Sequence, residues 1–186
     1  MSGLRRDPGQ ARHNRGVAKN SKSARASHGT PAVVSLERAG VPHTLHPYEH
    51  DPSSRLSYGM EAAAAIGVEA PRVFKTLLAD VDGKLVVGIV PVDRALDLKA
   101  LARVAGGKKA SMADPAAAER ATGYVVGGIS PLGQKTRHLT VLDESAEAFD
   151  VVYVSGGRRG LDVGLAPADL LRLTDGRTAP IARADR

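Results

Sequence analysis

Apolar and polar residues along this chain mark a series of short elements of two kinds. "TPAVVSLERAG" begins with Thr30 as a cap, has Pro31 at the first helical position and stops at Gly40, so a helix is expected there. "HTLHPY" (43–48) reads as a strand and "YGMEAAAAIG" (58–67) as a second short helix. "VFKTLLADVDGKLVVGIVPV" (73–92) reads as a hairpin with Asp82-Gly83 at a type I′ turn. "LDLKALARVAG" (96–106) is a helix capped by Asp97, and "DPAAAERATG" (114–123) is another, with Asp114 as cap and Pro115 in its first turn. "YVVGG" (124–128) is expected to start a strand. Strands are then expected at 136–143, 149–157 and 161–165, and a closing helix at 166–173. A regular βαβ alternation is absent, so the pattern predicts an α+β fold with a mixed, mainly antiparallel sheet and helices around it.

Residues 1–29 break this pattern. They hold hardly any large apolar residues, and they carry seven Lys or Arg against one acid, Asp7. Such a segment buries too little surface to offset its ordering entropy, so it is expected to be a disordered basic tail, with one folded domain over 30–186. The whole chain has a net charge of +6, and the segment alone supplies 7 − 1 = +6; residues 30–186 hold 19 basic and 19 acidic residues. The tail is either a solvated extension or an arm that attracts RNA by counterion release.

Composition narrows the chemistry. There is no Cys, which removes disulfides, thiolate zinc sites and a cysteine nucleophile. Aromatics are 3%, too few for a stacking platform of the single-strand-binding kind. No apolar run approaches the ~18 residues of a membrane span, and the N-terminus lacks a secretory h-region, so a cytoplasmic protein is expected.

Four stretches could carry function. "GGISPLGQKT" (127–136) approaches a phosphate-binding loop, but Gln134 intrudes before Lys135 and a strand, not a helix, is expected to follow. It is left as a glycine-rich connection, either a plain turn or a place where a ligand meets backbone. "VSGGRRGLD" (154–162) ends a strand with Ser155, Arg158, Arg159 and Asp162, either a hairpin turn or a polar recognition site. Lys75 lies within the apolar "VFKTLL"; it faces solvent, or it is a cation in a pocket that holds a carboxyl, carbonyl or phosphate. "HTLHPYEHD" packs three His with Glu49 and Asp51, but irregular spacing across a proline argues against a metal site. A Ser155–His–Asp triad lacks the G-x-S-x-G elbow.

"EHDP", "VFKTLL", "LDLKALA", "MADPAAAERATGYVVGGISPLGQKTR", "YVSGGRRGLD" and "IAR", in this order, resemble the YbaK/EbsC family, over about residues 30–184. Those are Cys-tRNA(Pro) deacylases related to the editing domain of prolyl-tRNA synthetases. The resemblance implies a sheet curled into a barrel-like core. It implies an aminoacyl-tRNA hydrolase without a cofactor, acting on tRNA(Pro) that carries a wrong amino acid, with prolyl-tRNA synthetase as a partner. It implies substrate-thiol-assisted ester cleavage, with Lys75 as the essential lysine. By the same resemblance Gly128 would place its backbone against the substrate, and Tyr48, Tyr58, Ser155 and Asp162 match pocket positions. Thr76, Ile129, Ser130 and Gly156, beside them, belong to the expected substrate-binding set. An Ala-tRNA(Pro) deacylase of the same superfamily is the near alternative. A non-catalytic aminoacyl-tRNA or synthetase-binding module is the distant one.

Overall fold

The computed structural model describes residues 29–185. The expected basic tail therefore lies outside the described residues, apart from Gly29. The elements follow the order α1 (Pro31–Ala39), β1 (Thr44–Pro47), α2 (Tyr58–Ile66), β2 (Val73–Val81), β3 (Lys84–Pro91), β4 (Arg94–Leu96), α3 (Leu98–Val104), β5 (Ala110–Met112), α4 (Pro115–Thr122), β6 (Leu139–Asp143), β7 (Val152–Arg158), β8 (Leu161–Leu165), α5 (Pro167–Thr174), β9 (Arg177–Ala179) and β10 (Ala182–Ala184).

Local chemistry explains the helix ends. Thr30, Ser57, Asp97 and Asp114 each accept a hydrogen bond from a backbone N–H of the first turn that follows. Gly40, Gly67 and Gly123 end α1, α2 and α4 in the left-handed conformation. Asp82 and Gly83 both have positive φ, 50° and 86°, as the hairpin turn between β2 and β3 requires.

Seven strands form one path, β1-β8-β7-β2-β3-β6-β9, and β5 adds to β2; β4 and β10 pair separately. Pairing of β2 with β3, β7 with β8 and β1 with β8 is antiparallel, whereas β2–β7, β3–β6 and β6–β9 are parallel. This is the mixed, mainly antiparallel sheet expected. Its terminal strands β1 and β9 do not meet, so the sheet is open and not a closed barrel. One apolar cluster joins α1, α5 and the inner residues Phe74, Ile89, Leu142, Val154 and Val163. A second packs α3 against Ala79, Val90, Leu96, Val141 and Ile181. None of the helices among the described residues is long and apolar enough to cross a membrane.

The segment after α4 departs from expectation. "YVVGG" does not form a strand, and β6 begins only at Leu139. The chain instead folds back over the end of α4. The N–H groups of Lys135 and Thr136 donate to the carbonyls of Thr122 and Ala121 at 2.9 and 3.1 Å. The buried Tyr124 hydroxyl donates to Leu132 at 2.6 Å. These bonds satisfy orphan helix carbonyls and hold 123–136 as an ordered loop.

Candidate functional site

The site occupies an interruption in the sheet. β3 runs along one edge of β2 for nearly its whole length. On the other edge β7 pairs only with Val73 and Phe74, and β5 only with 79–81. Residues 75–78 thus have no strand partner on that side. A cavity of about 300 Å³ opens there, roofed by α2 through Ser57, Tyr58, Gly59 and Ala62 and closed on the far side by Ala113, Ala118, Val126, Gly127 and Ile129.

Strand alternation decides which side chains face one another. Ser155 and Asp162 are directly opposite across β7 and β8. The β2–β7 register places Ser155 one step beyond Val154, as Lys75 is one step beyond Phe74. Lys75, Ser155 and Asp162 therefore share the sheet face that α2 covers, and all three line the cavity. Thr76 alternates to the other face and reaches the cavity through the gap; its buried hydroxyl has no hydrogen-bond partner among the described residues.

Electrostatics single out three groups. Burial pushes the Asp162 carboxyl up to about 7. It is 5% exposed, and among the described residues no group donates a hydrogen bond to it. Tyr48 is pushed up to about 12, first by burial and then by the Asp162 charge, so its phenol stays neutral. Burial pulls the Lys75 ammonium below the ordinary lysine value, opposed by the charges of Asp185 and Asp93. Neither carboxylate is within salt-bridge distance of Lys75, which is consistent with a cation left available to a ligand.

The mouth is held by a small cluster. Arg159 lies over the Tyr58 ring and donates twice to the Val126 carbonyl. Gly127 has φ of 87°, and a Cβ there would fall 2.7 Å from the Tyr58 ring. A Cβ on Gly128 would fall 2.8 Å from the Arg158 backbone. The glycines at 127 and 128 thus let this loop press against the β7–β8 turn and the tyrosine. Lys135, by contrast, does not line the cavity.

Of the residues expected from sequence, Tyr48, Tyr58, Lys75, Thr76, Ile129, Ser155 and Asp162 line one cavity. Gly128, Ser130 and Gly156 do not. Gly128 packs on Arg158, Gly156 on Leu161, and the buried Ser130 hydroxyl accepts from the Leu132 N–H. Sequence reasoning missed the apolar wall of Ala62, Val92, Met112 and Ala113, which carries no chemical signature. It also missed the Glu61 clamp: this buried carboxylate accepts from the Asp51 N–H at 2.6 Å and contacts His50 at 2.8 Å, tying the 48–57 loop to α2. The three histidines of "HTLHPYEHD" take separate partners: Val41, Thr44 and Glu61. The Ser155 hydroxyl accepts from the N–H of Gly157, within its own turn.

Known proteins resemble this chain in sequence and in fold. A sequence profile described as an aminoacyl-tRNA editing domain matches residues 57–173. The chain is 38% identical over 154 residues to EbsC of Enterococcus faecalis, a candidate Cys-tRNA(Pro)/Cys-tRNA(Cys) deacylase by its name; the match covers 82% of this chain and 92% of that protein. ProXp-y of Escherichia coli, named a multifunctional Ser/Thr-tRNA deacylase, is 36% identical over 89 residues, which are 47% of this chain and 53% of its own. A solved structure of a candidate trans-editing enzyme for prolyl tRNA synthetase has a TM-score of 0.71 at 26% identity, over 89% of this chain and 100% of that one.

Proposed function

The chain belongs to the aminoacyl-tRNA editing domain family, and on that premise we propose that it is a trans-editing deacylase that removes cysteine wrongly esterified to tRNA(Pro). A pocket that selects proline by size and shape discriminates by only ~1–3 kcal/mol, so cysteine slips through and must be removed afterwards.

One observation carries the reading. The cavity offers a lysine and an unpartnered threonine hydroxyl in a largely apolar wall, but Ser155, its candidate nucleophile, is bonded within its own turn and not to a histidine. Such a wall suits a reaction whose nucleophile comes with the substrate. The cysteine thiol attacks its own ester carbonyl; the carbon–sulfur bond forms, the bond to the ribose oxygen breaks, and the thiol proton passes to that oxygen. The products are a cyclic thiolactone and free tRNA. Lys75 holds the ester end and offsets the negative charge that builds on its oxygens.

Selectivity for tRNA(Pro) then comes from association with prolyl-tRNA synthetase, since the charges of residues 30–186 balance. A Ser or Thr ester is the second reading, favoured by the free Thr76 hydroxyl, which could bond a substrate hydroxyl. That reading needs water as the attacker.

The test is single-turnover deacylation of Cys-, Ala- and Ser-tRNA(Pro) by the wild type and by Lys75→Ala. Loss of cysteine alone, slowed at least ~100-fold in the variant, is expected. Release of serine at the same rate would transfer the assignment to the second reading, and release of nothing would end both.

A further inference from the structure

Lys75 and Asp162 are the two charged side chains that line the cavity among the described residues. They share one sheet face, on strands separated by β7. Asp162 has no donor among the described residues, although three titratable groups lie near. Tyr48 lines the same cavity. His46 is its cross-strand neighbour on β1, but the His46 ring bonds Thr44. Lys75 stands beyond Ser155 and makes no ion pair with it. A carboxylate buried in this way stays charged only when something supplies hydrogen bonds and a positive charge.

An amino-acid ester carries both at one end. Its α-ammonium is a cation with N–H donors, and its ester end is rich in oxygen. The two charges of the wall match these two ends in one orientation. Reversal would set the ammonium beside Lys75 and leave Asp162 unpaired, so both ends would lose.

Resting on the deacylase reading above, we propose that Asp162 receives the free α-ammonium of the bound aminoacyl ester and so restricts the enzyme to aminoacyl-tRNAs with an unblocked amine. N-acylated aminoacyl-tRNAs, peptidyl-tRNA among them, are spared. An amide nitrogen has no charge to return to Asp162, and the added acyl group must enter a cavity of about 300 Å³. The selection acts on the chemistry of the α-nitrogen, independently of the side chain.

The experiment compares Cys-tRNA(Pro) with N-acetyl-Cys-tRNA(Pro), its thiol left free, in single-turnover deacylation by the wild type and by Asp162→Asn. The thiol and ester are the same in both substrates, so a difference lies in the ammonium or in the bulk of the acetyl group, and Asp162→Asn separates the two. The wild type is expected to favour the free amine by about 100-fold in kcat/KM, the scale of a charge-assisted hydrogen bond in a buried site. Asp162→Asn is expected to lose about that factor on the free amine and to change little on the acetylated substrate. Similar wild-type rates on both substrates overturn the proposal and leave the deacylase reading standing. An equal loss on both substrates in the variant also overturns it, because it marks Asp162 as part of the chemistry or the fold. Turnover of neither substrate by the wild type ends the deacylase reading and this one with it. Similar wild-type rates on the two substrates overturn the proposal even if the variant does not fold.

Discussion

The guanidinium of Arg159 sits 4.8 Å from the ring centroid of Tyr58 and donates to the Val126 carbonyl at 2.6 and 3.1 Å. This contact joins the β7–β8 turn, the start of α2 and the glycine-rich loop at one point. Each of the three contributes to the cavity wall or its rim.

Removing that joint should loosen the mouth without touching the chemistry. Arg159 is exposed, so its ring contact is worth about 0.5–1 kcal/mol. Arg159→Ala is expected to raise KM for aminoacyl-tRNA about 3- to 5-fold and leave kcat within 2-fold. Steady-state kinetics of the two proteins read this directly. A large fall in kcat with KM unchanged would place Arg159 in the reaction itself.

Asp162 should make the fold sensitive to pH in an unusual direction. Its folded carboxyl keeps a proton up to about 7, whereas the unfolded one releases it near 3.8. Between those values the folded state binds more protons, so stability falls as pH rises and the contribution is gone above pH 7. Tyr48 stays neutral throughout this range. Asp162→Asn should therefore nearly match the wild type near pH 4 and exceed it at pH 8 by on the order of 4 kcal/mol. Urea unfolding midpoints at the two pH values test this; a gap of the same size at both would show that burial does not govern the group.

The Glu61 clamp should control the loop that brings Tyr48 and Ser57 to the cavity. The Asp51 N–H, and then His50, hold the Glu61 carboxyl below its ordinary range. A carboxyl held low stabilises above its unfolded value of 4.5 and loses that contribution as pH falls through the folded one. Glu61→Ala should free the loop at neutral pH. Limited digestion with trypsin is expected to cut after Arg55 at least ~5-fold faster than in the wild type, with the remaining sites unchanged. Equal cutting rates would mean that the packing of α2, not the clamp, orders the loop.

Much of this was legible in the sequence. Caps and stops such as Thr30, Asp97, Asp114, Gly40 and Gly67 act through bonds to residues three or four away, so their effect is local and readable. Asp82-Gly83 acts within two residues. The loop at 123–136 was misread because its decisive bonds, from Lys135 and Thr136 back to the end of α4, depend on how the chain returns and not on its local pattern. Strands β4, β5, β9 and β10 have three residues each, too few for an alternation to register. For the site, Lys75 stood out because a charge inside an apolar run demands a reason, and Asp162 because it closes a glycine-rich turn that also holds a hydroxyl and two arginines. Ala62, Val92 and Met112 did not, because an apolar residue beside a cavity looks the same in sequence as one in a core. Gly128 was expected at the substrate, yet its missing side chain makes room for Arg158.

The interruption in pairing along β2 bears on how such a protein can change over generations. A pocket dug from a core would share its walls with the structure that keeps the chain folded. Here Phe74 and Leu78 do belong to the core, but Met112 and Ala113 stand at the border of the gap in pairing along β2, and Met112 is 50% exposed. Exchanging these two border residues alters the shape offered to an amino-acid side chain while the ladders of β2 with β3 and β7 with β8 stay intact. Drift at these few positions can redirect a descendant from one mischarged amino acid to another in single steps, without an unfolded intermediate between them.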